Sequence, residues 1–84
     1  MTRNELFTEP RRRALQNVLE GNVYLRRSGL SRTTWMLVEG SGKPPSQLPY
    51  NWLYEHDYIE LLGGRNARLT AIGRLALKNI QGTR

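Results

Sequence analysis

The first clear periodicity in the chain lies between residues 9 and 20. Apolar residues recur there at the spacing of one helix face: Ala14, Leu15, Val18 and Leu19. Thr8 is a capping residue, Pro10 is tolerated in a first helical turn, and Gly21 is a common helix stop. These signals predict a first helix over residues 9–20, preceded by a flexible arm over residues 1–8.

Glycine and proline divide the middle of the chain into short segments. Val23-Tyr24-Leu25 is β-prone and too short for a helix, so a short strand is expected. Ser31 is a good N-cap, and the apolar residues before and after it stand at the positions of a hydrophobic staple. The N-cap and the staple together predict a second helix over about 32–39. The Gly40–Pro45 segment cannot be regular structure and is expected to form a loop.

The pattern after this loop predicts a third helix over about 47–56, with Ser46 as its N-cap. One side of it is mostly apolar and is taken as the inward side: Leu48, Trp52, Leu53 and His56. The opposite side is taken as the outward side: Gln47, Tyr50, Asn51 and Tyr54. Asp57 stands where the chain must reverse, and Asp tolerates the left-handed conformation that such a corner needs.

The last third of the chain reads as a hairpin followed by a helix. Residues 58–69 predict two strands joined by a tight turn at Gly63-Gly64, because both glycines can adopt positive φ. Thr70 is expected to cap a fourth helix over 71–80. Gly73 inside this helix costs about 1 kcal/mol relative to Ala, which a close approach to another element would explain.

This ending resembles the C-terminal half of bacterial and archaeal winged-helix regulators of the MarR-like and PadR-like groups. Their pattern is a leucine, a short gap, Gly-Leu-Ile, a wing, and then Leu-Thr-x-x-Gly-Arg. Here the pattern stands as Leu53, Asp57-Tyr58-Ile59, Gly63-Gly64-Arg65 and Leu69 to Arg74, with Asp57 in place of the usual glycine. The Gly-Gly-Arg and Leu-Thr-x-x-Gly ending is also similar to a winged-helix ribosomal protein of the archaeal and eukaryal small subunit.

The resemblance implies an α+β fold, a small winged helix-turn-helix of three to four helices with a two- or three-stranded antiparallel wing. The chain has 84 residues and therefore room for one domain. That domain is expected over residues 9–80, with a tail over 81–84. In such a domain the third helix enters the DNA major groove while the wing holds the backbone.

Charge points to the kind of partner. Thirteen Lys and Arg against seven Asp and Glu give a net charge of +6 and a sequence pI near 10.5. Residues 61–84 hold basic side chains and no acid, and residues 11–32 hold six Arg against Glu20 alone. A domain this basic attracts polyanions, of which nucleic acid is the commonest. Double-stranded DNA is therefore the expected partner.

Other classes of function have little support in the sequence. There is no cysteine, which excludes disulfides and thiolate metal sites, and no apolar run approaches the roughly 20 residues that span a bilayer. His56 is the only histidine and has no catalytic arrangement around it. We expect a soluble, cytoplasmic, non-enzymatic protein with no cofactor, no metal, no small-molecule substrate and no membrane partner.

Three groups of residues are candidate DNA contacts. The outward side of the third helix is suited to base edges, because Asn and Gln pair with adenine and Tyr contacts phosphate or a thymine methyl. Its members are Gln47, Tyr50, Asn51 and Tyr54. The wing offers side chains for phosphates or the minor groove: Arg65, Asn66 and Arg68. Further backbone contacts are expected from Lys43, Ser46, Arg11, Arg12 and Arg13.

Two alternatives remain open. The third helix has no Lys or Arg, the Gly40–Pro45 loop is long, and acids cluster around Asp57. These features also suit a winged-helix module that binds a protein partner or forms a homodimer. The ribosomal resemblance leaves RNA binding as a minor alternative. The wing arginines also have a plain structural role, because charges on an edge strand discourage aggregation between sheets.

The wing assignment predicts the behaviour of a double variant. Replacement of Arg65 and Arg68 by Ala is expected to weaken DNA binding and to lower the slope of log affinity against log salt by up to about two units, since two phosphate contacts are lost. Titration of a labelled duplex at several salt concentrations measures both quantities. Unchanged affinity and slope would rule the wing out as a contact.

Overall fold

A computed structural model describes residues 7–29, 32–40 and 42–82. They form three helices and a four-stranded antiparallel sheet, and the expected α+β class is confirmed. The elements in chain order are α1 (Glu9–Leu19), β1 (Val23–Ser28), β2 (Arg32–Leu37), α2 (Gln47–Glu55), β3 (Ile59–Leu62), β4 (Asn66–Leu69) and α3 (Ala71–Gly82). The strand order in the sheet is β2-β1-β4-β3.

Residues 32–37 form a strand where the sequence predicted a second helix, so that prediction is wrong. β2 pairs with β1 along its whole length, from Val23 opposite Leu37 to Ser28 opposite Arg32. Gly29 in the connection has a φ of +69°, which glycine adopts without strain. The described residues therefore hold no helix between α1 and α2. The sheet gains a fourth strand over the two or three predicted, because Thr-Thr-Trp suits a pleated, half-buried surface.

The strand register gives the sheet two different faces, because residues directly opposite each other share a face. One face packs against the helices and is lined by Val23, Leu25, Trp35, Ile59, Ala67 and Leu69. Leu15, Leu53 and Leu77 of the three helices complete this core. The other face, called here the open face, carries exposed or half-buried side chains: Tyr24, Arg26, Thr34, Glu60, Leu62, Asn66 and Arg68. Met36 is a buried member of the open face.

Local signals in the last third of the chain are confirmed. Asp57 has a φ of +63°, and Gly63 and Gly64 both have positive φ in the turn between β3 and β4. Thr70 caps α3, since its Oγ1 accepts the Gly73 backbone N–H at 3.0 Å. The same hydroxyl donates to the Asp57 carbonyl at 2.6 Å, which ties the start of α3 to the corner before β3.

The packed part of the chain begins before residue 9. Phe7 is buried, and its ring meets the rings of Trp52 and Tyr58 edge-on at 5.6 and 5.1 Å between centroids. Residues 1–6 of the predicted arm lie outside the described residues. The predicted N-cap Ser31 and the residue before it, Leu30 of the predicted staple, also lie outside them. At the other end, α3 extends to Gly82.

Gly73 lies against the backbone of the corner before β3, so the expected close approach is confirmed. A Cβ at this position would overlap the Tyr58 carbonyl oxygen, and that oxygen accepts the Thr70 N–H at 3.1 Å. Gly73→Ala is therefore expected to lower the free energy of unfolding by about 1–3 kcal/mol, although Ala is the better helix former.

Urea denaturation of Gly73→Ala measures this loss. Lys78→Ala, an exposed change in the same helix, is the matched control and should stay within about 0.5 kcal/mol of the parent protein. A Gly73→Ala protein as stable as the parent would contradict the close contact.

Candidate nucleic-acid interface

Tyr50 lies in the core, so the prediction that it faces outward is wrong. Its side chain is 3% exposed, and its hydroxyl accepts a hydrogen bond from Asn17 Nδ2 at 3.1 Å. Its ring stacks on Trp35 of β2 with 6.1 Å between centroids. A side chain held in this way cannot reach a base edge.

Gln47 joins α2 to the free edge of β2. Its Oε1 accepts the Trp35 backbone N–H at 2.6 Å, and its Nε2 donates to the Trp35 carbonyl at 3.0 Å. The side-chain amide thus takes the place that a neighbouring strand would occupy. Nε2 also donates to the Pro45 carbonyl at 2.8 Å. The predicted base-reading amide is occupied in holding the fold together.

Asn51 and Tyr54 are exposed, yet both contact the same tryptophan. Asn51 Oδ1 accepts the Trp35 Nε1–H at 2.8 Å, and the Tyr54 ring lies 5.7 Å from the Trp35 ring. These contacts turn the predicted outward side of the helix toward β2. Leu48, which is 78% exposed, and His56 are on the surface instead, so their predicted inward placement is wrong.

The Arg11–Arg13 run is divided between packing and surface ion pairs. The Arg11 guanidinium lies 3.9 Å from the centre of the Trp52 ring, a cation–π contact on a half-buried side chain. Arg12 and Arg13 both pair with Glu9, at 2.7 and 3.4 Å. Exposed pairs of this kind contribute about 1 kcal/mol or less to stability, and the Glu9 carboxylate offsets part of the positive charge of this run.

Lys43 and Ser46 are both exposed in the segment that leads into α2. Ser46 occupies the predicted N-cap position of α2, although its side chain makes no capping bond to the helix. Ser46 and Arg11 line one shallow cleft, in which the starts of α1 and α2 come together. The other residues of this cleft are Thr8, Pro10, Leu48 and Pro49.

The predicted wing is the β3–β4 hairpin, and its three candidate residues differ in their partners. Arg68 Nε lies 2.6 Å from Glu60 Oε2, so much of its charge is balanced. Arg65 is exposed in the turn, with its guanidinium 5.0 Å from the Tyr24 ring, and Asn66 is exposed at the start of β4. The double replacement of Arg65 and Arg68 by Ala should therefore change the slope of log affinity against log salt by nearer one unit than two.

A basic surface that the sequence did not predict lies at the tip of the β1–β2 hairpin. Arg26, Arg27 and Arg32 are exposed there and form no ion pair with a carboxylate of the described residues. β1 pairs with β4 only at Tyr24 opposite Asn66, so the hairpin projects beyond the β3–β4 turn. We call Arg26, Arg27, Arg32 and Arg65 the basic end.

Charge is separated along the strands. The β1–β2 and β3–β4 connections lie at the same end of the sheet. Residues 26–34 and 62–66 contain no acidic residue. The carboxylates of Glu39, Glu55 and Asp57 belong to segments that flank the opposite ends of the strands. Since neighbouring positive charges reinforce one another and nearby acids would cancel them, the basic end is a surface that attracts anions.

The signal for this surface is present in the sequence. Ser28-Gly29 is a turn dipeptide, and it lies between the β-prone segments Val23-Tyr24-Leu25 and Thr33-Thr34-Trp35. Arginines flank it on both sides. A helix over 32–39 would leave no partner strand for β1. Only the β1–β2 pairing brings Arg26 and Arg27 to the same end of the sheet as Arg32.

Comparison of the chain with protein-family models, with curated proteins and with solved structures found no match. The described residues contain no helix of the length and apolarity that a bilayer crossing needs. They also hold no group of three or more His, Asp or Glu side chains placed to bind a metal ion.

The burial of Tyr50 predicts an alkaline limit to stability. Burial raises the pKa of the Tyr50 phenol above its ordinary value of 10.0, and the hydrogen bond from Asn17 lowers it in part. Below pH 10 the phenol is neutral in both the folded and the unfolded chain. Above it the unfolded chain ionises first, so this contribution to stability is lost as pH rises through the folded pKa.

Tyr50→Phe is expected to cost about 1 kcal/mol at neutral pH, because Asn17 loses its partner, and to reduce the loss of stability above pH 10. Denaturation at a series of pH values measures both effects. Tyr54→Phe, at an exposed position, should change neither. If stability falls equally above pH 10 in Tyr50→Phe and in the parent protein, Tyr50 is not the group that causes this loss.

Proposed function

We propose that this protein binds double-stranded DNA without catalysing a reaction, as a small regulator or accessory factor. The observation that carries the proposal is the basic end, where two turns of one sheet bring four arginines together in segments without acids. Such a surface is suited to the phosphates of a polyanion, which dominate the affinity of most nucleic-acid complexes.

The shape of the projecting hairpin favours a duplex. A two-stranded ribbon is one of the elements that the major groove of DNA admits. Arg26 and Arg32 lie on the open face of this ribbon, and Arg27 lies on the opposite face. A ribbon that enters a groove tip-first therefore presents guanidinium groups to both phosphate walls.

The proposal places the duplex against the basic end and not against α2. Gln47 and Tyr50 are engaged in internal hydrogen bonds, and α2 has no Lys or Arg. We also propose that the fold is a variant of the winged helix, in which the β1–β2 hairpin takes the place of the second helix. The order of α2, the β3–β4 hairpin and α3 supports this relation.

A pair of matched double variants tests the proposed function. Arg26→Gln with Arg27→Gln is expected to weaken binding to a random duplex of about 30 base pairs and to lower the salt slope by up to about two units. Arg12→Gln with Arg13→Gln removes the same charge from α1 and should have a smaller effect, since those arginines are paired with Glu9.

Fluorescence anisotropy at about 50 and 200 mM salt provides the measurement. Equal losses in the two double variants would mean that net charge alone drives binding and that the basic end is not the site. A folded protein that binds no duplex at the lower salt concentration would overturn the proposed function.

The second candidate function is binding of a protein partner, including a second copy of the chain. Ile72 and Leu75 on α3 are 55% and 57% exposed and lie on one side of the helix. Contiguous exposed apolar surface is one of the features that mark protein interfaces. Absence of DNA binding together with a concentration-dependent dimer in analytical ultracentrifugation would favour this candidate.

A further inference from the structure

The open face of the sheet carries a group of side chains that begins at the basic end and extends onto β1 and β4. Tyr24 lies on the central strand β1, half-buried, with the Arg65 guanidinium 5.0 Å from its ring centroid. Asn66 is directly opposite on β4, and Arg26 follows Tyr24 on the same face. The helices pack on the other face of the sheet, and in this group Arg26, Arg65 and Asn66 are exposed while Tyr24 is half-buried.

These side chains match the parts of a nucleotide. An aromatic ring and a guanidinium plane both stack with nucleobases, and such stacking tolerates any base because every base has a π-face. The amide of Asn66, which has no hydrogen-bond partner among the described side chains, offers a donor and an acceptor to a base edge. Arg26 offers a charge-assisted contact to the adjoining phosphate.

We infer that Tyr24, Arg65, Asn66 and Arg26 form a binding site for an unpaired base of single-stranded nucleic acid, here called the stacking site. A base inside a duplex is covered on both sides by its neighbours, so the stacking site requires a single-stranded segment. The inference rests on the proposed function, because Arg26 and Arg65 also belong to the basic end. It extends that function to DNA in which a duplex adjoins an unpaired strand.

Tyr24 variants separate stacking from simple support of the fold. Tyr24→Leu keeps an apolar side chain on β1 but removes the ring, whereas Tyr24→Phe keeps the ring and removes only the hydroxyl. If Tyr24 only supports the β3–β4 turn, both variants change thermal stability and neither changes affinity selectively. Tyr24→Phe is therefore the matched control for Tyr24→Leu.

The probes are a labelled oligothymidine of about 15 nucleotides and a labelled random duplex of about 30 base pairs, titrated by anisotropy at low salt. The parent protein is expected to bind both. Tyr24→Leu should weaken oligothymidine binding by about tenfold to a hundredfold and leave duplex binding within about twofold. Tyr24→Phe should resemble the parent protein for both probes.

The outcomes distinguish failure of the stacking site from failure of the proposed duplex binding. Duplex binding without oligothymidine binding, or equal oligothymidine binding by the parent and Tyr24→Leu, overturns the stacking site and leaves the proposed function intact. Oligothymidine binding that depends on Tyr24 in a protein that binds no duplex supports the stacking site and overturns the duplex proposal. Binding to neither probe by a folded protein overturns both. Circular dichroism of each variant verifies folding.

Discussion

The attachment of Trp35 to α2 is the contact on which the rest of this structure depends. Gln47 binds the Trp35 backbone on both its N–H and its carbonyl, and Asn51 accepts the indole N–H. The rings of Tyr50 and Tyr54 lie against the indole. A side chain of α2 thereby satisfies the backbone N–H and carbonyl of Trp35 on the free edge of β2. β2 can therefore be an edge strand without leaving these groups unpaired.

This attachment also fixes which surfaces are free. It turns the polar side of α2 toward the sheet, and β2 in turn holds β1 as its partner along the hairpin. Because β4 pairs with β1 only near Tyr24, the distal half of the hairpin projects with its arginines exposed. The candidate binding surface is thus a consequence of how the sheet is built, and it lies away from the helix that the sequence favoured.

Residue type alone gave an ambiguous guide to the candidate site. Gln, Asn and Tyr are chemically suited to base edges, but the same hydrogen-bonding groups can satisfy a strand edge or a buried indole. Gln47, Asn51 and Tyr50 are used in this second way. Arginine is less ambiguous, because Arg26 and Arg27 at a turn have no described carboxylate to pair with. An arginine without a carboxylate partner is therefore the more informative sign of a binding surface.

The sequence by itself determined the features that depend on near neighbours: α1, α2 and α3, the left-handed corner at Asp57, the glycine turn of the β3–β4 hairpin and the Thr70 cap. Each follows from backbone preferences and bonds within a few residues. The tertiary structure decided between helix and strand for residues 32–37, where the local signals conflict, and it alone decided which side of α2 is buried. Those outcomes depend on contacts between Trp35 and residues more than ten positions away, and no local propensity encodes such contacts.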